Sequence, residues 1–213
     1  MAQKSTQNTT GPKPQYSRER IIEVAISLAD TRGIDAVSIR AIASNLGTGA
    51  ASLYRYVKSF DELTGLMVDR VSAEYDFSTC TGPAIEQLLD IARQGRRIMR
   101  HHPWVPLIVL QKQVMTPNAL AYLEQGLIAL SHTTLGAAEK LHTIAMLNSI
   151  TATFTLYEIN QDEHAGSSVS SEPLELGAYP HLLQVVGQIQ HPMDLDSAFE
   201  RAIVTYLQGM GIK

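Results

Sequence analysis

The sequence predicts an all-α protein: a small N-terminal helical head followed by a larger helical body. Apolar residues recur at helical spacing along the chain, and Ser, Thr and Asp caps alternate with glycine and proline stops. No stretch shows the two-residue alternation of a half-buried strand, and no internal repeat is present. With 213 residues, 45% hydrophobic and 18% charged, the chain can bury a sizeable core and is neither disordered nor collagen-like.

Residues 1–16 are a polar arm carrying Lys4 and Lys13 without acids, expected to be disordered. A first helix follows, with Ile21, Ala25, Leu28 and Ala29 on one face, Ser17 as N-cap and Gly33 as stop. Ile39, Ile42, Ala43 and Leu46 repeat the pattern between Ser38 and Gly47. After Gly47-Thr48-Gly49 a third helix, Ala50 to Val57, is about two turns long. Ser59-x-x-Glu62 reads as the capping box of a fourth, from Phe60 to about Asp76, with Leu63, Leu66, Met67 and Val71. Together these fill a head domain spanning residues 17–76.

The body, residues 77–213, opens with Ile85, Leu88, Leu89, Ala92 and Met99 along 84–102, and Pro103-Trp104-Val105-Pro106 predicts a break. Thr116-Pro117 reads as an N-cap and N1 proline, leading Leu120, Leu123, Leu127 and Leu130. Residues 136–160 are apolar or small on nearly every side, so this long helix is expected to pack on its own domain and on something else. Residues 161–172, with Gly166 and four serines, read as a loop. Two segments close the chain, Pro180 to Gln190 and Asp194 to Gln208, the latter carrying Leu195, Phe199, Ala202, Ile203, Tyr206 and Leu207.

Charge divides the chain. Residues 1–60 carry eight Lys/Arg against four Asp/Glu, while residues 61–213 carry nine against seventeen. One end can approach a polyanion that the rest repels. Cys80 is the sole cysteine, which excludes an intrachain disulfide and multi-thiolate zinc sites and suits a reducing compartment. The N-terminus lacks the apolar stretch of a signal peptide, so a cytoplasmic location is expected. Leu141 to Tyr157, a long uncharged run, has 17 residues including His142, Asn148, Ser149 and four threonines. It is too short and polar to span a bilayer comfortably, and no membrane partner is expected.

Two short helices joined by a glycine-containing turn, in the basic part of the chain, form a helix-turn-helix. The stretch Ser38 to Val57, followed by Phe60-Asp61-Glu62-Leu63, resembles the tetracycline-repressor (TetR) family. The matching features are Arg40, Ile42-Ala43, Leu46-Gly47, Leu53-Tyr54 and Glu62-Leu63, within a motif from about Ser17 to Val71. Two positions depart: Thr48 stands where the family usually has an aliphatic residue, which would loosen the turn, and Phe60 where it has a phosphate-contacting lysine. The resemblance implies double-stranded operator DNA as partner, a homodimer, and a small-molecule effector held within each subunit.

Residue chemistry assigns roles beside that resemblance. The third helix is too short to stand alone, so Leu53 and Val57 must anchor it and free its outer face. Gly49, Ala50 and Ala51 at its first turn offer no side-chain hydrogen bonds, although alanine can sense thymine methyls and permits close approach. Arg40 fits guanine O6 and N7, and Arg55 is a second candidate. Ser52, Tyr54, Tyr56 and Lys58 carry donors for phosphates. The competing readings are a core aromatic for Tyr54 and a solvated charge for Arg40.

Met99, Trp104, Met115 and Met146 supply adaptable apolar contacts, and His102, Gln111, His142 and Asn148 a few hydrogen bonds, which suits a largely apolar effector. The same residues also suit an ordinary core. Arg93, Arg96, Arg97 and Arg100 read as a solvated helix face. Helices 136–160 and 194–208 show more apolar and small surface than one core can use, and are the expected dimer interface.

No nucleophile elbow, metalloprotease motif, phosphate loop or Cys-x-x-Cys occurs, and His101-His102 lacks a third ligand, so neither an enzyme, a cofactor nor a metal is expected. The sequence therefore points to a repressor released by a small molecule. The alternative is a helical carrier or sensor without DNA binding, suggested by Phe60 and the methyl-only first turn of the third helix.

Overall fold

The computed structural model describes residues 16–112, 115–164, 179–188 and 193–213, and every long regular element among them is a helix. The polar arm up to residue 15 lies outside these residues, as does most of the expected loop. Its first part, up to His164, is helical. The chain divides into two compact units, residues 1–70 and 71–213.

In the first unit α1 (Arg18–Arg32) starts where the Ser17 hydroxyl accepts from the Arg20 N–H, and it stops at Gly33 with φ 79°. After a 3₁₀ turn at Ile34–Ala36, α2 (Ile39–Asn45) is capped by Ser38, which accepts from the Ala41 N–H. The third helix, α3 (Ala50–Leu53), is shorter than its expected two turns. Tyr56 and Val57 both donate to the Leu53 carbonyl, and this tightened turn carries Val57 into the core. Ile21, Ala25, Ile42, Leu53, Val57, Leu63 and Met67 are completely buried.

The fourth helix, α4 (Phe60–Ser72), begins with the Ser59 hydroxyl accepting from the Glu62 N–H. Glu62 does not close the box on Ser59. Its carboxylate accepts from the Lys58 N–H at 2.8 Å and pairs with Arg18 at 2.5 Å, binding the start of α1 to the start of α4. Tyr16 adds a hydrogen bond from its hydroxyl to the Leu46 carbonyl.

In the second unit, Asp76 does not extend α4 as the sequence suggested. Its N–H donates to Gln94 Oε1 at 2.7 Å, and its carboxylate accepts from the Ser78 N–H and hydroxyl, diverting the chain into a 3₁₀ turn at Phe77–Thr79. The remaining helices are α5 (Ala84–His101), α6 (Val105–Gln111), α7 (Pro117–Ala129), α8 (Ala137–His164), α9 (Pro180–Gln188) and α10 (Leu195–Gly209). The break between α5 and α6 falls at His102–Trp104, with a proline in the first turn of α6. Thr116 stands at the N-cap of α7, but its hydroxyl makes no capping bond.

Helices α5, α8 and α10 pack on one another, with α7 against α5 and α8, and α6 against α8. Leu88, Ile91, Leu130, Ile144, Leu147, Phe199, Ile203 and Leu207 form their common core. Gly126 lets α7 approach α8 closely, because a Cβ there would lie 2.8 Å from the Ile144 side chain. The buried threonines of α8 satisfy themselves: Thr143, Thr151 and Thr155 donate to the carbonyls of Glu139, Leu147 and Thr151.

The arginines of α5 are not one solvated face. Arg93, Arg97 and Arg100 are exposed, but Arg96 is turned inward. Its guanidinium holds the buried Glu158 carboxylate of α8 with two hydrogen bonds and Asp196 of α10 at 2.7 Å, and lies 4.8 Å from the Phe199 ring centroid.

Replacing Arg96 by leucine strands the Glu158 carboxylate, which is expected to cost about 3–5 kcal/mol in urea unfolding. Replacing Glu158 by leucine as well should recover much of that loss. A second expectation concerns acid. The Lys58 N–H, with Arg18, holds the Glu62 carboxyl below its ordinary value of 4.5. Its contribution to stability is therefore full above that value and lost as pH falls through the lower folded value. Glu62→Gln should lower the melting temperature at pH 7, and the gap to the parent should close on acidification, as followed by circular dichroism.

Candidate nucleic-acid interface and ligand site

The helix-turn-helix is built by backbone pairing between α2 and its turn. Leu46 donates to Ile42, Gly47 to Ser44 and Thr48 to Ala43, and Gly47 takes φ 65°, a left-handed conformation that favours glycine. Thr48 does not loosen this turn. The Ser52 hydroxyl donates to the Gly49 carbonyl at 2.6 Å, leaving Thr48 to donate to Ser52 at 2.9 Å, so side-chain bonds fasten the start of α3.

This arrangement sorts the candidate residues. Arg40, Gly49, Ala51, Tyr54, Arg55 and Lys58 are exposed, and Ala50 is half-buried. Tyr54 is 54% exposed, which removes the core-aromatic reading. Ser52 has committed its one proton to Gly49, so it holds no donor for a phosphate. The Tyr56 hydroxyl is buried with no partner among the described residues and does not face outward as a phosphate donor would. Its ring instead supports Arg55, whose guanidinium lies 4.8 Å from the ring centroid. Phe60 opens α4 with 43% exposure.

The eight ligand candidates do not form one cluster. Met99, His102 and Trp104 are buried where α5 meets α6, with a His102 ring nitrogen 3.2 Å from the Glu74 carboxylate and the two rings 6.1 Å apart. Gln111, Met115 and His142 are exposed, and Met146 and Asn148 half-buried. His142 faces outward because α8 buries the face of Thr143, Ile144, Leu147, Thr151 and Thr155. An open cleft of about 310 Å³ is lined by Arg96, Arg100, Glu158 and residues Met193 to Asp196, a charged surface unlike the apolar pocket expected.

An aromatic group that the ligand candidates do not include packs, partly buried, against the core of the second unit. Tyr75 stacks on Phe77 with centroids 5.4 Å apart, and Tyr122 of α7 lies 5.4 Å from Tyr75. Burial pushes the Tyr75 phenol up, and burial followed by the neighbouring Tyr75 does the same for Tyr122. The Tyr75 hydroxyl fits against α5 at Gly95, where a Cβ would lie 2.6 Å away. The available signal was Gly95 itself, an isolated glycine within a strong helical pattern.

A helix-turn-helix head joined to a larger helical unit defines a bacterial regulator of transcription, and the comparisons place it within that class. Residues 21–64 match the family model for bacterial regulatory proteins of the tetR family, and residues 80–213 match the tetracyclin repressor-like C-terminal domain. The chain belongs to the tetracycline-repressor family, whose members are transcriptional regulators and not enzymes. It is 32% identical over 155 residues to the HTH-type transcriptional repressor DrrR1 of Streptomyces coeruleorubidus, covering 72% of this chain and 57% of that one. The chain thus spans less than two thirds of that relative. An HTH-type transcriptional regulator of Saccharopolyspora erythraea is 28% identical over 166 residues, 76% of this chain and 70% of its own. Ligand-free ActR of Streptomyces coelicolor matches with TM-score 0.74 and 26% identity over 94% of this chain and 96% of ActR. ActR in complex with actinorhodin matches with TM-score 0.74 and 25% identity over 94% and 97%.

Gly95 supplies a test of the aromatic geometry. Gly95→Ala should destabilise by roughly 1–3 kcal/mol through contact with the Tyr75 hydroxyl. In a Tyr75→Phe background the same change should stabilise by about 0.5–1 kcal/mol, because the oxygen is gone and alanine favours the helix. Urea unfolding of the four proteins reads the reversal of sign.

Proposed function

We propose that this chain is a transcriptional repressor that binds a two-fold symmetric operator as a homodimer and leaves it when a small effector binds. Residues 17–76 act as the DNA-binding head with its linking helix, and residues 77–213 as the effector and dimerisation body, in the cytoplasm. The observation that carries this reading is the fastened α2–turn–α3 unit, which leaves Arg40, Tyr54, Arg55 and Lys58 exposed around a first turn of small residues. Arg40 reads guanine, with Arg55 beside it. Tyr54 and Lys58 hold phosphates, and Gly49, Ala50 and Ala51 allow close approach to base edges.

One head covers one half-site, so useful affinity needs two heads related by symmetry. Helices α8 and α10 supply the interface in this reading. Leu141 and Tyr157 of α8 are exposed, as are Ala145 and Thr153, and Ala202 on α10 permits close approach. The effector binds among the helices of the second unit. That ActR, a structural neighbour, has been crystallised with actinorhodin supports a ligand site in this fold. Among the described residues no helix is long and apolar enough to cross a membrane.

Footprinting on the neighbouring intergenic DNA should show two protected half-sites with centres roughly 34–36 Å apart. Arg40→Ala should lose about 1–3 kcal/mol and relax preference at one base pair, while Tyr54→Phe weakens all sequences alike. DNA and effector should weaken each other by the same factor. A chain that protects no DNA at low salt would be a carrier or sensor instead.

A further inference from the structure

Four of the nine lysines and arginines in residues 61–213 fall within one stretch of α5: Arg93, Arg96, Arg97 and Arg100. They lie three or four residues apart, so each has like charges as neighbours on the helix surface, an arrangement that weakens a helix. Two of the four are compensated. Arg93 pairs with Glu200 at 2.6 Å, and Arg96 holds Glu158 and Asp196. Arg97 and Arg100 are exposed and make no ion pair among the described residues. Asp76 attracts Arg97 from beyond ion-pair distance, and its carboxylate is engaged by the Ser78 N–H and hydroxyl. The four arginines line an open cleft of about 300 Å³, with no acidic residue among those described in its wall. An otherwise acidic stretch of chain thus gathers positive charge around one hollow, at a cost to the helix that carries it.

We propose that this arginine face of α5 is a binding site for a small dianion of the phosphate-monoester class, held by Arg97 and Arg100. A carboxylate carries one charge and two oxygens, and a single guanidinium fork satisfies it. Two uncommitted forks on one hollow match an ion with about two charges and three terminal oxygens, which is a phosphate monoester. The compensated pair completes the site. Glu158 fixes Arg96 in place and Glu200 holds Arg93, so only two side chains remain to be ordered when the anion binds. The site lies wholly in the second unit and makes no use of the helix-turn-helix, so it stands or falls separately from operator binding.

The test compares phenyl phosphate with benzoate, two aromatic anions that differ in the charged group, by isothermal titration calorimetry on the full chain at constant ionic strength. The parent should bind phenyl phosphate about tenfold or more tightly than benzoate. The Arg97→Gln/Arg100→Gln variant should lose that preference and bind phenyl phosphate about tenfold or more weakly than the parent. Lys140→Gln removes a positive charge near the other end of α8 and should leave the affinity unchanged. Without ligand the double variant should melt no lower than the parent, because like-charge contacts along α5 are relieved. The proposal is overturned by failure of the parent to bind phenyl phosphate, by equal affinity for the two anions, or by a preference that survives in the double variant. An equal loss in Lys140→Gln also overturns it, since the effect would then belong to net charge. A melting temperature several degrees lower in the double variant assigns these arginines to the fold instead. Loss of binding to non-specific DNA in that variant, with no phenyl phosphate binding by the parent, assigns them to a nucleic-acid backbone and equally overturns the site.

Discussion

Burying a charge obliges a fold to bring its partner, and the second unit is organised around that obligation at Arg96. Its guanidinium gathers a buried carboxylate from α8 and an exposed one from α10. Apolar packing alone would tolerate sliding among these helices, since methyl groups meet other methyl groups at many registers. A planar fork bound to Glu158 does not, because displacement would leave two charges without partners in a poor solvent. Phe199 beneath the fork and Phe154 against Phe199 join this polar constraint to the apolar core. The directional contact selects one arrangement, and the hydrophobic surface supplies most of the stability.

The head solves a different problem. A four-residue helix has almost no stability of its own, so α3 exists because its surroundings hold both ends. Leu53 and Val57 hold it from the core side, while Thr48 and Ser52 hold its first turn. Glu62, reaching both Lys58 and Arg18, fixes where the chain leaves α3 and where α4 begins. Residues that look like DNA contacts in the sequence are thus divided between two duties. Ser52 and Tyr56 serve the scaffold, and Arg40, Tyr54 and Lys58 remain outside.

Helix order and boundaries were legible because they depend on local signals: Ser17 and Ser38 cap, Gly33 and Gly47 stop, and Pro106 and Pro117 sit in first turns. Deviations came where a distant group intervened. Gln94 captures the Asp76 N–H and ends the expected run of α4, and no periodicity in 60–76 encodes a residue on α5. The inward turn of Arg96 was hidden for the same reason, since spacing places four arginines on one side of a helix without saying which neighbour carries acid. The ligand candidates fared worst. His142 and Met115 are chemically suitable, but suitability says nothing about which face of α8 or which end of a loop is covered. Tyr75 and Tyr122 meet only through the packing of α7 beside the segment after α4.

The threonines of α8 have an evolutionary consequence. Because Thr143, Thr151 and Thr155 return their hydroxyl protons to their own backbone, the helix presents its neighbours with methyl groups while keeping no polar debt. Descendants of this chain can therefore exchange side chains on α5 or α7 for larger or smaller apolar ones without orphaning a donor on α8. The apolar wall of the second unit is free to drift in shape while Arg96 and Glu158 keep the frame in place.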